Sequence, residues 1–485
     1  MIETMKRLFG TDGMRGEAGM FPLDAATLRT VGRSLALRLG ERLGRAPRIV
    51  TGRDTRESGE WIESAFASGA RAAGAQVEAA GVITTPGVAY LARTLPADAG
   101  IVVSASHNPY RDNGIKIFAP DGRKLDDATE RLIESDIYAE FEKVAPSTLE
   151  TREGVSKSDE VKASTGDASK SGARADEGGA EENGRSADAL RSLYLEYLAD
   201  EVGAGLSLEG LSVVVDCANG AASRLAPALL SRLGARVVSI NDSPDGRNIN
   251  LDCGSLHTEH LCRCVVEEGA HLGVAFDGDA DRSLFADARG RLVDGDATMW
   301  VLAKLMQSRG ELTGDRVVAT VMSNVGLELA LRSRGVELLR ADVGDKYVLE
   351  ELMRTGAALG GEQSGHVIFP RVSLAGDGMI TTLNLLRAVR EEDRPLDELT
   401  EGFERYPQVL VNVRVREKRP FEEVEELARA AREVGARLEG RGRLLLRYSG
   451  TEPLARVMIE GPGQDEIETL AGELAQVIRR TLGDG

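Results

Sequence analysis

Short β-branched runs that stop abruptly on small, polar residues are the feature that most restricts this chain. Ile101-Val-Val103 runs into Ser104-Ala-Ser-His-Asn-Pro109, and Leu211-Ser-Val-Val-Val-Asp216 runs into Cys217-Ala-Asn-Gly220. In the same way His271-Leu-Gly-Val-Ala-Phe276 runs into Asp277-Gly-Asp-Ala-Asp-Arg282. Runs without a polar alternate face suit strands covered on both sides, which an open sheet achieves by laying helices over both faces. Between the runs the spacing turns helical, as at Leu28, Val31, Leu35 and Leu39. The alternation predicts an α/β chain with mixed or mostly parallel sheets. In such sheets ligands collect beyond the carboxyl ends of the strands, so the polar residues after each run are where chemistry is expected.

A chain of 485 residues is long enough for three or four domains. The pattern divides into three α/β units, at 1–150, 189–291 and 292–398, and a C-terminal α+β unit at 399–485 with an antiparallel sheet. Residues 151–188 contain two valines and no Leu, Ile, Met, Phe, Tyr or Trp. Such a segment cannot bury enough apolar surface to order itself, and it is expected to be a flexible acidic insertion or linker. The net charge of −18 and an aromatic content of 4% oppose nucleic-acid binding and base stacking. Any anionic substrate must then be held by a local cluster of cations. No apolar h-region opens the chain, and no apolar run approaches the roughly 18 residues of a membrane helix. The cysteines, at 217, 253, 262 and 264, fit no zinc spacing and read as reduced thiols of a cytoplasmic protein.

Three loops carry the chemistry. Ser106 follows a buried strand, beside His107 and Asn108, and Pro109 bars the strand from continuing. Its hydroxyl can meet a substrate or carry a covalent group. Taken alone, these residues are explained equally well by a capping turn. Asp277, Asp279 and Asp281 alternate just past a strand; if that stretch stays extended, all three carboxylates face one side and suit Mg²⁺. An EF-hand calcium loop is excluded, because its glycine position would be Arg282 and its terminal glutamate Ala288. A solvated acidic turn would gather like charges after a buried strand without compensation. Near the C-terminus, Arg447, Ser449, Gly450, Thr451 and Arg456 offer two guanidiniums, two hydroxyls and a glycine amide, a donor set for phosphate.

Smaller signals accompany them. Phe9-Gly-Thr-Asp-Gly-Met-Arg-Gly16 places glycines around Arg15, a candidate anion clamp or a plain turn. Asp112-Asn-Gly-Ile-Lys116 is expected to make a tight turn that returns Lys116 to the serine rim. The Glu362-Gln-Ser364 loop offers paired acceptors and a hydroxyl, which suits sugar hydroxyls, although a surface turn fits equally.

Together these loops resemble the α-D-phosphohexomutase family. Its four elements occur in order: Ser104-Ala-Ser-His-Asn-Pro109, Asp277-Gly-Asp-Ala-Asp-Arg282, Gly361-Glu-Gln-Ser-Gly-His366 and Arg447-Tyr-Ser-Gly-Thr-Glu-Pro453. The resemblance covers all but 151–188. Further matching stretches, among them Phe9 to Gly16, Asn248-Ile-Asn250, Cys253-Gly-Ser255, Thr320-Val-Met-Ser-Asn324 and Val343-Gly-Asp-Lys-Tyr-Val348, point to the branch handling glucosamine phosphates. The alternative is a sister branch acting on mannose or glucose phosphates.

The resemblance implies a cytoplasmic isomerase with four domains around a central cleft, the C-terminal one closing over the substrate. Phosphorylated Ser106 would give its phosphoryl group to glucosamine 6-phosphate. The hexosamine 1,6-bisphosphate would turn over, and the other phosphate would return to Ser106, leaving glucosamine 1-phosphate for UDP-N-acetylglucosamine synthesis. One Mg²⁺ on Ser106, Asp277, Asp279 and Asp281 would neutralise the charge of transfer. Arg15, His107 and Lys116 are the implied catalytic residues. Lys116, Lys346 and His107 are candidates for moving the proton, with Lys116 favoured because it lies nearest the serine loop in sequence. Arg282, Lys346, Glu362, Ser364, His366 and the C-terminal cradle would hold the substrate. The partner is a small sugar phosphate, with no nucleic acid and no membrane; monomer and homodimer are both open. A hydrolase with an aspartate nucleophile is opposed by the Ser106 loop and the separate cradle. A non-catalytic sensor is opposed by the intact serine and metal loops.

Overall fold

A computed structural model describes residues 7–10, 12–144, 185–449 and 452–483. The expected acidic insertion lies outside the described residues except for 185–188, where a helix is already starting. Ser186 caps Ala187–Glu196 by accepting the Ala189 amide, and π-helical turns continue over Tyr197–Val202.

The first unit is a six-stranded mixed sheet. Its strands are β1 (Phe9–Gly10), β2 (Gly13–Glu17), β3 (Arg48–Arg53), β4 (Gln76–Val82), β5 (Ala99–Val103) and β6 (Asp112–Phe118), in the order β1-β2-β6-β5-β3-β4. β3 is parallel to β4 and β5, while β6 runs antiparallel to β5 and β2. Residues 112–116 are therefore no tight turn. The apolar side chains of Ile115, Ile117 and Phe118 are buried and carry the chain on as a strand, with Lys116 opposite Val102. The strand places Lys116 in the middle of the sheet rather than at a loop tip.

The second sheet comprises β7 (Ser212–Asp216), β8 (Arg236–Ile240), β9 (Leu272–Phe276), β10 (Ser283–Asp287) and β11 (Leu292–Val293), ordered β11-β10-β9-β7-β8. β9 and β10 form an antiparallel hairpin whose loop holds the three aspartates. The third comprises β12 (Arg316–Thr320), β13 (Glu337–Ala341), β14 (Gly360–Gly361) and β15 (Val367–Ile368), ordered β13-β12-β14-β15. The loop Glu362-Gln-Ser-Gly-His joins the antiparallel pair β14 and β15. The C-terminal unit is the expected antiparallel sheet, ordered β16-β18-β17, from β16 (Gln408–Arg414), β17 (Arg443–Tyr448) and β18 (Leu454–Glu460). Helices Glu425–Leu438 and Gln464–Leu482 cover it.

One hydrophobic core runs through the first three units, from Val102 and Phe118 through Val215 and Phe276 to Val317 and Leu383. The helix 187–202 helps to weld them. The sequence places it at the head of the second unit, but its stripe of Leu190, Tyr194, Tyr197 and Leu198 packs across units one and three. The Tyr197 ring stacks on Tyr90 at 4.3 Å, and the Tyr194 hydroxyl donates to Asp377 at 2.7 Å. The C-terminal sheet has a separate core around Val413, Val457 and Leu474. The shared core makes the first three units one large block, to which the C-terminal domain, with a core of its own, is attached. All four cysteines are free thiols. Among the described residues no helix is long and apolar enough to cross a membrane.

Candidate active site

Ser106 lies at the carboxyl end of β5 in the left-handed backbone region, φ 53°. That conformation costs a non-glycine residue about 1–3 kcal/mol, so the surroundings must enforce it. A fully buried guanidinium does so. Arg56 donates to the carbonyls of Ser106, Asn108 and Asp112, each at 2.9 Å, and to that of Pro109. Its Nε donates to Asp54 at 2.9 Å. Asp54 also accepts the Ser104 hydroxyl at 2.7 Å, and the Ser104 oxygen accepts the Ser106 amide at 2.9 Å. Asn250 adds a bond to the Ser106 carbonyl at 2.9 Å. None of Arg56, Asp54 and Asn250 was expected here. The available signal was Gly52-Arg-Asp-Thr-Arg56, a charged turn after a buried strand like the other loops.

The Ser106 hydroxyl donates to Asp277 Oδ2 at 2.6 Å. The aspartate loop is not extended as period-two reasoning required; it curls between β9 and β10, with Ala280 at φ 57°. The curl itself brings the carboxylates together, with one ligand atom from each of Asp277, Asp279 and Asp281 within 4.8 Å of the others. Asp279 Oδ2 accepts from Thr85 Oγ1 at 2.5 Å and from Lys116 Nζ at 3.0 Å. Asp279 Oδ1 and Asp281 Oδ1 are buried without a hydrogen-bond partner. Buried polar atoms are normally satisfied. Two orphaned hard oxygens beside a third carboxylate are the donor set a divalent cation such as Mg²⁺ takes, so these residues could hold a metal ion.

The electrostatics are correspondingly polarised. Burial and the neighbouring Asp281 and Asp279 push the Asp277 carboxyl well above the ordinary range. Burial would raise Asp281 too, but Lys116 and His366 outweigh it and hold that carboxyl well below. Lys116 is 1% exposed and pairs with Asp12 at 3.3 Å, Asp279 at 3.0 Å and Asp281 at 3.5 Å. Burial disfavours its charge, yet those carboxylates hold the ammonium well above the ordinary lysine range. Burial also works against charge on His366, but the Asp281 carboxylate, whose Oδ1 lies 3.8 Å from its Nδ1, raises it to about 9. His107 goes the other way: burial and the nearby Arg282 and Arg15 lower it. Arg282 Nη1 stands 3.2 Å from His107 Nδ1, and Arg15 pairs with Asp12 while its own Nε stays buried and unpartnered.

A cavity of about 710 Å³ opens between the first and third units, lined among others by Lys116, Asp281, His366, Lys124, Asp345 and Lys346. Lys124 bridges the two units, 2.7 Å from both Asp12 and Asp345. Lys346 lines the cavity, and its ammonium is bound to Asp127 at 2.7 Å. Glu362 accepts the Gly344 amide at 3.0 Å and the Ser364 hydroxyl at 3.3 Å, which locks the expected sugar loop to 343–344. The cradle stands apart. Arg447 is opposite Arg456 on the paired strands β17 and β18, and Arg456 reaches Ser449 and Glu452 at 3.3 Å. Gly450 and Thr451 lie outside the described residues. Among the described residues, none of the cavity lining comes from the C-terminal domain.

This arrangement can be set beside known proteins. Four family profiles match in order: phosphoglucomutase/phosphomannomutase alpha/beta/alpha domain I at residues 6–143, domain II at 192–290, domain III at 294–406 and the C-terminal domain at 410–477. The phosphoglucosamine mutase of Solibacter usitatus is 48% identical over 480 residues, 99% of this chain and 100% of that protein. The chain belongs to the α-D-phosphohexomutase family. A second relative of this phosphohexomutase, the phosphoglucosamine mutase of Syntrophotalea carbinolica, is 44% identical and covers 99% of this chain and 98% of its own. The fold is shared with a phosphoglucomutase/phosphomannomutase family protein from Burkholderia thailandensis, with a TM-score of 0.74 at 24% identity over 98% of this chain and 97% of the other.

Proposed function

We propose that this phosphohexomutase is a cytoplasmic enzyme that interconverts glucosamine 6-phosphate and glucosamine 1-phosphate, with Ser106 carrying the phosphoryl group. The observation that carries the reading is the buried Ser106 hydroxyl, 2.6 Å from Asp277 and held by a pinned loop beside two orphaned carboxylate oxygens. Full-length likeness to phosphoglucosamine mutases supports the amino sugar over glucose or mannose.

Asp277, Asp279 and Asp281, with the Ser106 oxygen, would hold a Mg²⁺ ion, which when bound supplies neutralisation of the transferring phosphoryl charge. The chain's own groups do the rest. Arg56 and Asn250 pin the Ser106 backbone carbonyl and so the residue that carries the hydroxyl, and a loose transfer needs little further orientation. Arg15 brings a guanidinium with an unspent Nε, suited to a phosphate oxygen. In the first transfer the sugar hydroxyl loses a proton and the Ser106 oxygen regains one; the second transfer reverses both. Lys116 is the proposed relay, lining the cavity while bonded to Asp279, and His366 on the same wall is charged in the same pH range. His107, lowered by burial, serves as a neutral acceptor for Arg282 rather than as a second cation. Glu362 and Ser364 would hold sugar hydroxyls. Arg447, Ser449 and Arg456 would hold the phosphate not being transferred, while a hexosamine 1,6-bisphosphate serves as primer and intermediate.

A substrate panel tests the sugar. Enzyme primed with bisphosphate and supplied with Mg²⁺ should turn over glucosamine 6-phosphate with a higher kcat/KM than glucose or mannose 6-phosphate. A reversed order would make the chain a sister mutase.

A further inference from the structure

We infer that Asp294 and Arg405 are positioning residues that tie the sugar loop to the segment carrying the C-terminal domain. This rests on the proposed division of labour, in which 362–366 hold the sugar and the C-terminal loop holds the idle phosphate. The chain leaves the third unit through 402–407, between helix Leu396–Leu399 and β16. There Arg405 Nη1 donates to Asp294 Oδ2 at 2.8 Å. The same oxygen accepts Gln363 Nε2 at 3.3 Å. Gln363 stands between Glu362 and Ser364, and its carbonyl accepts the Gly295 amide at 3.0 Å. Asp294 has little room to yield. It is 6% exposed, and its other oxygen caps helix Gly295–Ser308 through the Ala297 amide at 3.0 Å. One buried carboxylate therefore grips the sugar loop and the linker together.

The next linker residue is gripped from the same helix end. The Tyr406 amide and carbonyl both bond the Asn324 side chain at 3.0 Å, and the Asn324 amide donates to Asp296 at 2.8 Å. Beyond the linker, the C-terminal domain reaches the third unit through Arg443, 3.1 Å from the Ser323 carbonyl, and Glu460, 3.2 Å from the Val325 amide. These contacts sit at one end of a three-stranded sheet whose cradle, among the described residues, contributes nothing to the cavity lining. A small domain held at one end can swing about that end. Arg405 is the link from that pivot to the sugar. An ion pair with one half-exposed partner adds little to stability, so the value of this one lies in placement: a sugar drawn onto 362–366 fixes Gln363, and through Asp294 fixes the linker that aims the cradle.

The test uses full-length, primed enzyme with Mg²⁺ and four variants: Arg405→Ala, Arg405→Lys, Gln363→Ala and the Gln363→Ala/Arg405→Ala pair. The readouts are KM for glucosamine 6-phosphate, bisphosphate released per turnover, phosphorylation of Ser106 by added bisphosphate, and Tm. Arg405→Ala is expected to raise KM and bisphosphate release about 10-fold, the scale of one charge-assisted bond, with Tm and Ser106 phosphorylation unmoved. Arg405→Lys should restore most of the loss. The double variant should be no worse than the worse single one, because both break the same chain. Arg447→Ala serves as reference. Wild-type release in Arg405→Ala while Arg447→Ala leaks would overturn the link but leave the cradle standing, and so would full additivity in the double variant. Wild-type release in Arg447→Ala would instead bring down the cradle reading, and this inference with it.

Discussion

Ser106 and Arg56 show how much of a reactive side chain is decided by its neighbours. The serine was visible in the sequence only beside the other loops, since a hydroxyl after Ile101-Val-Val103 fits a capping turn equally well on its own. The arginine that holds it was not, because four of its bonds go to carbonyls, and backbone acceptors leave no mark in a sequence. Removing one partner of a buried ion pair typically costs about 3–5 kcal/mol. Arg56→Met should therefore lower stability by about that amount in denaturant titration, and the survivors should be slow to phosphorylate Ser106. Full stability and full phosphorylation in that variant would mean the left-handed Ser106 is held by something else. At the metal loop, Asp279→Asn removes one hard oxygen and weakens the bond to Lys116. Activity titrated against Mg²⁺ should show the midpoint concentration rising and the maximal rate falling, each by about 10-fold or more. An unchanged Mg²⁺ midpoint would break the three aspartates apart as a group.

Among elements, strands and helices of the α/β units were largely legible, and the errors came where tertiary pairing overrode local signals. Asp112-Asn-Gly114 looks like a turn, but β2 pairs with it while β5 pairs with Ile115 to Phe118 just beyond, and it becomes the start of β6. The Asp277-Gly-Asp-Ala-Asp281 stretch looks extended, but a hairpin must reverse there, and a turn gathers the same three carboxylates. The apolar spacing over 188–200 predicts a helix, yet not that it lies across units one and three, since a stripe of Leu and Tyr does not name its partner. The start of helix Gly295–Ser308 makes a sharp prediction. A Cβ on Gly295 would stand 2.1 Å from the Glu362 carbonyl. Gly295→Ala should displace the sugar loop and raise KM for the sugar phosphate, by about 10-fold, while priming of Ser106 proceeds. An unaltered KM would show that 362–366 do not set sugar binding.

At the scale of the molecule, the sequence told of four units, and the structure adds that three share one core while the fourth keeps its own. That division was hidden because apolar periodicity reports burial, not what a face is buried against. It matters because the cradle proposed to hold the idle phosphate is on the fourth unit, while Ser106, the proposed phosphoryl carrier, is on the large block. A charge-assisted contact to phosphate is worth about 1.5–3 kcal/mol, so Arg447→Ala should weaken binding by about one to two decades and let more bisphosphate escape. Unchanged KM with no added leakage would reduce the cradle to a turn. The central claim, that one phosphoryl group passes through Ser106, is tested most directly by label. Enzyme carrying ³²P on Ser106, mixed with unlabelled glucosamine 6-phosphate and Mg²⁺, should lose the label to the sugar at the rate of turnover. Ser106→Ala should take up no label and make no glucosamine 1-phosphate. Product formed by Ser106→Ala, or formed by wild-type enzyme while its label stays on the protein, would contradict the account.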